Sequence, residues 1–187
     1  ALPTDTIRLV ERLEAPVLDL GAGWDNVYRA KMSSKARSER RRRRRQLEAL
    51  GTVEVSVART RDELDPALGA AFRLYALRWQ GRRDASGFIT PVGRRFHRAA
   101  VLGLGDADVS RILTLRLDGR AIAFALYLQL AGRAYGVTMA FDPAYARFGP
   151  GFEAKLLSLE AAAGEGMTRA ELLGAAAEHK QRLTDRF

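Results

Sequence analysis

The chain contains no cysteine, so it has no disulfide framework, no zinc-ribbon spacing and no thiol nucleophile. Histidine is nearly absent too: His97 and His179 are the only two, too few for a histidine-based metal cluster, and no metal site is expected. No apolar run approaches the roughly 20 residues that span a bilayer, and the first residues lack a charged stretch followed by an apolar one. A cytoplasmic protein with no transmembrane segment is expected. Internal repeats are missing, and so is low-complexity sequence apart from one arginine run. There is no G-x-S-x-G elbow, which with the missing thiol argues against a covalent enzyme nucleophile.

What remains is an ordinary globular composition. The 187 residues, 47% hydrophobic, suffice for one sizeable core and scarcely for two. The chain begins with Ala, so residues 1–33 are expected to be an N-terminal segment left from a longer protein, with the main domain over 34–187. Within that segment Ile7 to Leu13 and Pro16 to Leu20 each read as a strand or short helix and Trp24 to Lys31 as a helical turn, and none of them is assigned a role.

The most informative stretch runs from Tyr135 to Glu165. A β-type alternation (Tyr135, Val137, Met139, Phe141) meets Asp142-Pro143, then Arg147-Phe148-Gly149-Pro150-Gly151, then apolar residues Phe152, Leu156, Leu159 and Ala163 at helical spacing. Pro150 or Gly151 falls at the helix start. Free N–H groups of a first helical turn, the positive end of its dipole and close-approaching glycines suit a pyrophosphate, and Arg147 would add a full charge. The plainer alternative is a tight turn that merely starts a helix.

Context favours the cradle. Ser110 to Leu117 alternates apolar and polar residues, Asp118-Gly119 is a two-residue hairpin signal, Arg120 to Leu130 continues as an apolar strand, and Ala131-Gly132 marks a second turn. The expected fold is a mixed α/β (α+β) sheet: a three-stranded antiparallel meander, the cradle, a helix, and a short strand at Arg169 to Leu173 lying parallel to the third. Such a crossover puts the cradle at the carboxyl end of a strand, where open sheets bind ligands.

Upstream, Thr52 to Ala58 reads as a strand. Thr60 with Glu63 forms a capping box before an apolar stripe of Leu64, Leu68, Phe72, Tyr75 and Trp79, and Thr90-Pro91 opens a second helix through Leu104. The loop Gly81 to Ile89 reads as a lid. Much of the net charge of +9 comes from Lys35, Arg37 and the run Arg40 to Arg45, on a helix that Ser33 or Ser34 can cap and Gly51 ends. Adjacent arginines point all around a helix, so no face there is expected to be buried. The run reads either as a solvated basic face or as a polyanion contact, for RNA, an undecaprenyl-type diphosphate or the 3′-phosphate of coenzyme A.

In this order, meander, cradle, helix and short strand resemble the GNAT acyltransferase fold, whose acyl-coenzyme A pyrophosphate rests on a Q/R-x-x-G-x-G/A loop. The glycines match as Gly149 and Gly151, whereas the basic position is Ala146, with Arg147 one place later. The chain further resembles the CelD-like or BioF2-like branch, related to the FemAB transferases. The shared features are Leu47 to Gly51 after the arginine helix, Arg78-Trp79, Asp118 to Ala123, Phe141-Asp142-Pro143, Pro150-Gly151, and Gly174 followed by His179-Lys180.

The resemblance implies an acetyl- or other acyl-coenzyme A co-substrate, its pyrophosphate over Gly149 to Phe152 and its pantetheine along Val137, Met139 and Phe141. It places the acceptor beside Tyr75 and Trp79, residues that a helical stripe would otherwise put in the core. It also implies that Lys180 stabilises the charged intermediate, while His179 stands where the branch has Tyr and could shuttle a proton. Asp142, at the mouth of the strand, is the candidate base, although Asp-Pro is also a common turn opener. His97 reads as structural. The expected reaction moves an acyl group, acetyl foremost, to an amine or hydroxyl of a sugar or amino-acid acceptor. The alternatives are an aminoacyl-tRNA-dependent transferase and a non-catalytic nucleic-acid-binding module. Because the chain ends soon after Lys180, the sheet is expected to lack closing strands or to complete itself in a homodimer.

Overall fold

The computed structural model describes residues 16–80, 88–172 and 183. Two helices precede the main sheet: α1 (Trp24–Lys31) and α2 (Ser34–Glu48), the latter capped by Ser33, whose hydroxyl accepts the Ala36 N–H at 3.2 Å. Strand β2 (Val53–Ala58) leads to α3 (Arg61–Arg78), opened by the expected Thr60–Glu63 capping box, and to α4 (Pro91–Asp106), with Thr90 as its cap. The meander follows as β3 (Ser110–Leu117), β4 (Arg120–Leu130) and β5 (Arg133–Phe141). A 3-10 helix (Pro143–Phe148) and α5 (Pro150–Gly164) lead to β6 (Arg169–Glu171). Before them all, Val17–Asp19 forms β1.

The six strands lie in the order β1-β6-β5-β4-β3-β2, and of these pairings only β5–β6 is parallel. The two hairpins have the φ values their sequences demand: Asp118 and Gly119 at 47° and 75°, Ala131 and Gly132 at 51° and 75°. Positive φ at both central residues matches the turn to the right-handed twist of the strands. At the edge of the sheet, residues 17–19 take the strand alternative of their two readings and pair antiparallel with β6, so the N-terminal segment itself extends the sheet past the crossover strand.

Strand alternation divides the core. Leu113 and Leu115 of β3, with Ala123, Ala125 and Tyr127 of β4, face α1, α2 and α5, whereas Ile112, Phe124 and Leu126 face α3 and α4. Two bulges shift this alternation. One leaves Ile122 without a direct partner between Leu115–Ala123 and Arg116–Ala121, and the other leaves Val137 so between Leu126–Thr138 and Tyr127–Gly136. A bulge bends its strand and re-aims side chains, and the second sits in the strand that leads to the cradle.

The arginine helix departs from its expectation. It does bury one face: Leu47 is inside, while Arg40, Arg43 and Arg44 are half-buried and Arg41, Arg42 and Arg45 are exposed. The buried face is possible because Glu153, on α5, meets Arg40 at 2.7 and 3.0 Å and Arg44 at 3.7 Å. A charge leaves water readily only when it is paired.

Candidate active site

Everything in the cradle hinges on Gly149. At φ 64° and ψ 40° it ends the 3-10 helix and begins α5, a left-handed conformation that favours glycine. Pro150 then opens the helix, and its missing N–H would have been unpaired there anyway. The ladder of α5 begins with Glu153 N–H on the Gly149 carbonyl at 3.0 Å, which leaves the Gly151 and Phe152 N–H groups in a first turn with no intrahelical acceptor.

The two glycines do different work. A Cβ on Gly151 would lie 2.6 Å from Cδ1 of Phe141, so this glycine lets the end of β5 pack against the helix rather than keeping open space for a ligand. A Cβ on Gly149 would lie 3.0 Å from Nη1 of Arg43. Arg147, read as the cradle's charge, is exposed and stacks on its neighbour Phe148, with 4.6 Å between guanidinium and ring centre.

A groove of about 780 Å³ runs between α2 and the start of α5, walled by Lys35, Arg40, Arg43 and Arg44 on one side and Phe148, Gly149, Pro150 and Phe152 on the other. Its electrostatics are graded. Burial works against the charge of Arg40, but the Glu153 carboxylate and the Tyr28 hydroxyl together outweigh it and hold the guanidinium pKa above its ordinary value. Glu39 is held down to about 2 by its bonds from Arg42 and Arg43.

A second opening lies along the side of α5. Among the described residues the parallel ladder joins β5 to β6 at Arg133–Tyr135. Next to it is a cavity of about 250 Å³ lined by Gly136, Val137, Thr138 and Met139, with Tyr127 beneath and Lys155 and Ser158 from α5. Burial, followed by the Glu165 carboxylate, raises the Tyr127 phenol pKa, so it stays protonated at neutral pH. The sequence-read pantetheine residues Val137 and Met139 thus line the cavity, while Phe141 lies at the cradle.

The remaining candidates are placed as follows. Asp142 is buried, one carboxylate oxygen accepting the Ala144 N–H at 3.0 Å and the other Arg120 at 2.8 Å, so it caps the 3-10 helix and anchors β4. Tyr75 lies in an aromatic cluster with Phe88 (5.1 Å between centres) and Trp79 (6.0 Å). Arg78 stands between Trp79 and Phe141, 5.3 and 5.0 Å from their ring centres, and so brings the end of α3 to the cradle. Lys180, His179 and Gly174 lie outside the described residues, as do Ile7 to Leu13 and residues 81–87 of the expected lid. Among the described residues no cluster of potential metal ligands occurs and no helix is long and apolar enough to cross a membrane.

The order and geometry of these parts coincide with a known domain: a profile of the acetyltransferase (GNAT) domain matches residues 34–181. The chain belongs to the GNAT acetyltransferase family. It is an acyltransferase domain of the GNAT type, and solved structures share its fold at low identity. FemX superposes with a TM-score of 0.63 at 13% identity, over 88% of this chain and 53% of FemX. L-PGS from Bacillus licheniformis gives 0.51 at 14% identity, over 88% and 46%. An aminoglycoside acetyltransferase from an uncultured soil metagenomic sample, solved with sisomicin, gives 0.50 at 14%, over 66% and 78%. The GNAT chain thus spans about half the length of FemX and of L-PGS. No curated protein matches its sequence.

Sequence reasoning missed three residues of this site. Arg43 was hidden inside a run of identical residues. Glu153 carried no signal of its own, and Arg78 showed only as half of an Arg-Trp pair.

Proposed function

We propose that this domain transfers an acetyl group from acetyl-coenzyme A to an amine or hydroxyl of a sugar or amino-acid acceptor, as in the CelD-like or BioF2-like branch it resembles. The supporting observation is the cavity beside β5, directly upstream of the cradle. Backbone groups of Gly136 to Met139 that line it can bind the amides of a pantetheine arm, and the free Gly151 and Phe152 N–H groups can take the diphosphate that follows it. The coenzyme supplies a thioester whose carbonyl carbon the acceptor attacks.

In that reaction the new C–N or C–O bond forms as the C–S bond breaks, the acceptor gives up a proton and the leaving thiolate takes one up. An amine with an ordinary pKa near 10 must lose a proton before attack. In this proposal Lys180 stabilises the developing negative charge and His179 carries the proton. Tyr75 and Trp79, with Arg78 between Trp79 and Phe141, form the acceptor side. Asp142 acts by position, since Ala144 and Arg120 already occupy its carboxylate.

Titrating the protein with acetyl-coenzyme A by calorimetry, at two salt concentrations and beside an RNA oligomer, tests this reading. Coenzyme binding, together with thiol release on adding an amine or sugar acceptor, is the expected result. RNA binding that weakens steeply with salt, with no binding of the coenzyme, would overturn it and favour a nucleic-acid-binding role for the exposed arginines.

A further inference from the structure

We infer that Arg43, reaching across from α2, is the cation of the phosphate site at the start of α5, so that the arginine helix and the Gly149–Phe152 loop together form one diphosphate clamp. The inference rests on the acyl-coenzyme A reading and goes beyond it, because it gives the arginine run a place in the coenzyme site and moves the site's charge from the loop to another helix.

The loop itself supplies little charge. Ala146 stands where a basic residue would be, and Arg147 is exposed and stacked on Phe148. Across the groove, the three half-buried arginines differ in how far they are already neutralised. Arg40 gives Nε and Nη2 to the two oxygens of Glu153. Arg44 binds Glu48 at 2.6 Å and also approaches Glu153. Arg43 gives only its Nε edge to a carboxylate, that of Glu39 at 2.7 Å.

That one bond also orients Arg43. With Nε bonded to Glu39, its Nη1 comes within 3.0 Å of the space a Gly149 side chain would fill. Among the described residues its two terminal nitrogens have no acceptor. Glu39 remains an effective anchor because it stays ionised at all working pH values. A guanidinium anchored at Nε with both terminal nitrogens left without an acceptor is suited to two oxygens of a phosphate group. The groove has room for such a group, and the free N–H groups of Gly151 and Phe152 stand at the same helix start.

The test compares acetyl-coenzyme A binding by wild type, Arg43→Gln, Arg43→Lys and Arg41→Gln, with melting temperature measured for each. Arg43→Gln should fold normally, because Arg42 still meets both oxygens of Glu39 at 2.8 Å. The expected result is about ten- to hundredfold weaker coenzyme binding in Arg43→Gln, an intermediate loss in Arg43→Lys, which keeps charge but not the fork, and a change within about twofold in Arg41→Gln on the exposed face. Equal affinity of wild type and Arg43→Gln would overturn the clamp while leaving the acyl-coenzyme A reading intact. Equal losses in Arg41→Gln and Arg43→Gln would also overturn it, showing only general attraction. Absence of coenzyme binding by wild type would remove the reading itself and the clamp with it.

Discussion

The ring of Phe141 occupies the place where a side chain on Gly151 would begin, 2.6 Å from an ideal Cβ. The last residue of β5 and the second residue of α5 are therefore in direct contact, and Arg78 covers the outer face of the same ring at 5.0 Å. Gly151→Ala should destabilise the domain by about 1–3 kcal/mol, as overpacking does. Phe141→Leu in the same chain should recover part of that loss. Urea unfolding of the two single variants and the double variant checks the coupling, and additive losses would show that the contact is relieved elsewhere.

Glu153 is the residue that lets a basic helix lie against the protein. Glu153→Gln leaves Arg40, with a side chain only 19% exposed, short of its carboxylate, and should cost about 2–3 kcal/mol. A double-mutant cycle with Arg40→Met should return a favourable coupling energy. Purely additive losses would mean that α2 is held by Leu47 and its neighbours alone.

At the opposite end of α5, Glu165 meets the buried Arg111 at 2.9 Å and Arg59 at 3.2 Å. Asp108 and two backbone carbonyls would still hold Arg111 after Glu165→Gln, so the expected cost is about 3 kcal/mol, at the lower end for a broken buried pair. This network lies a full helix length from the cradle but acts on Tyr127 beneath the neighbouring cavity, so any change below the melting transition should appear in KM for the coenzyme rather than in kcat. A large loss of kcat in a folded variant would contradict that placement.

His97 packs on Phe88, with 4.5 Å between ring centres, and burial lowers its pKa below the ordinary 6.5. The folded state then binds fewer protons than the unfolded one, so the His97 contribution is fully present above pH 6.5 and is lost as pH falls through the folded value. His97→Gln should therefore reduce the drop in melting temperature between pH 7.5 and pH 5.5. An unchanged drop would assign the acid sensitivity to other groups.

Much of the architecture was legible because it is local. Turn pairs at Asp118-Gly119 and Ala131-Gly132, the Thr60–Glu63 box and the Pro150 start act within a few residues, and each stands where its chemistry puts it. The helix start after Gly149 was legible for the same reason, because Pro150 is suited to a first helical position. The arginine run was misjudged because its environment is non-local: Arg40 and Glu153 are 113 residues apart, and nothing near the run announces an acid on another helix. For β1 the strand was one of two readings of Pro16 to Leu20, but its partner, at the far end of the chain, was not legible.

The sequence by itself determined the meander, the crossover and the loop that begins α5, since hydrophobic period and turn chemistry are properties of neighbouring residues. Only the tertiary structure decided which arginine faces that loop, which glycine makes room for a ring and which strand pairs with β6 on its outer side. Those choices depend on distance through space, and a one-dimensional pattern does not contain it.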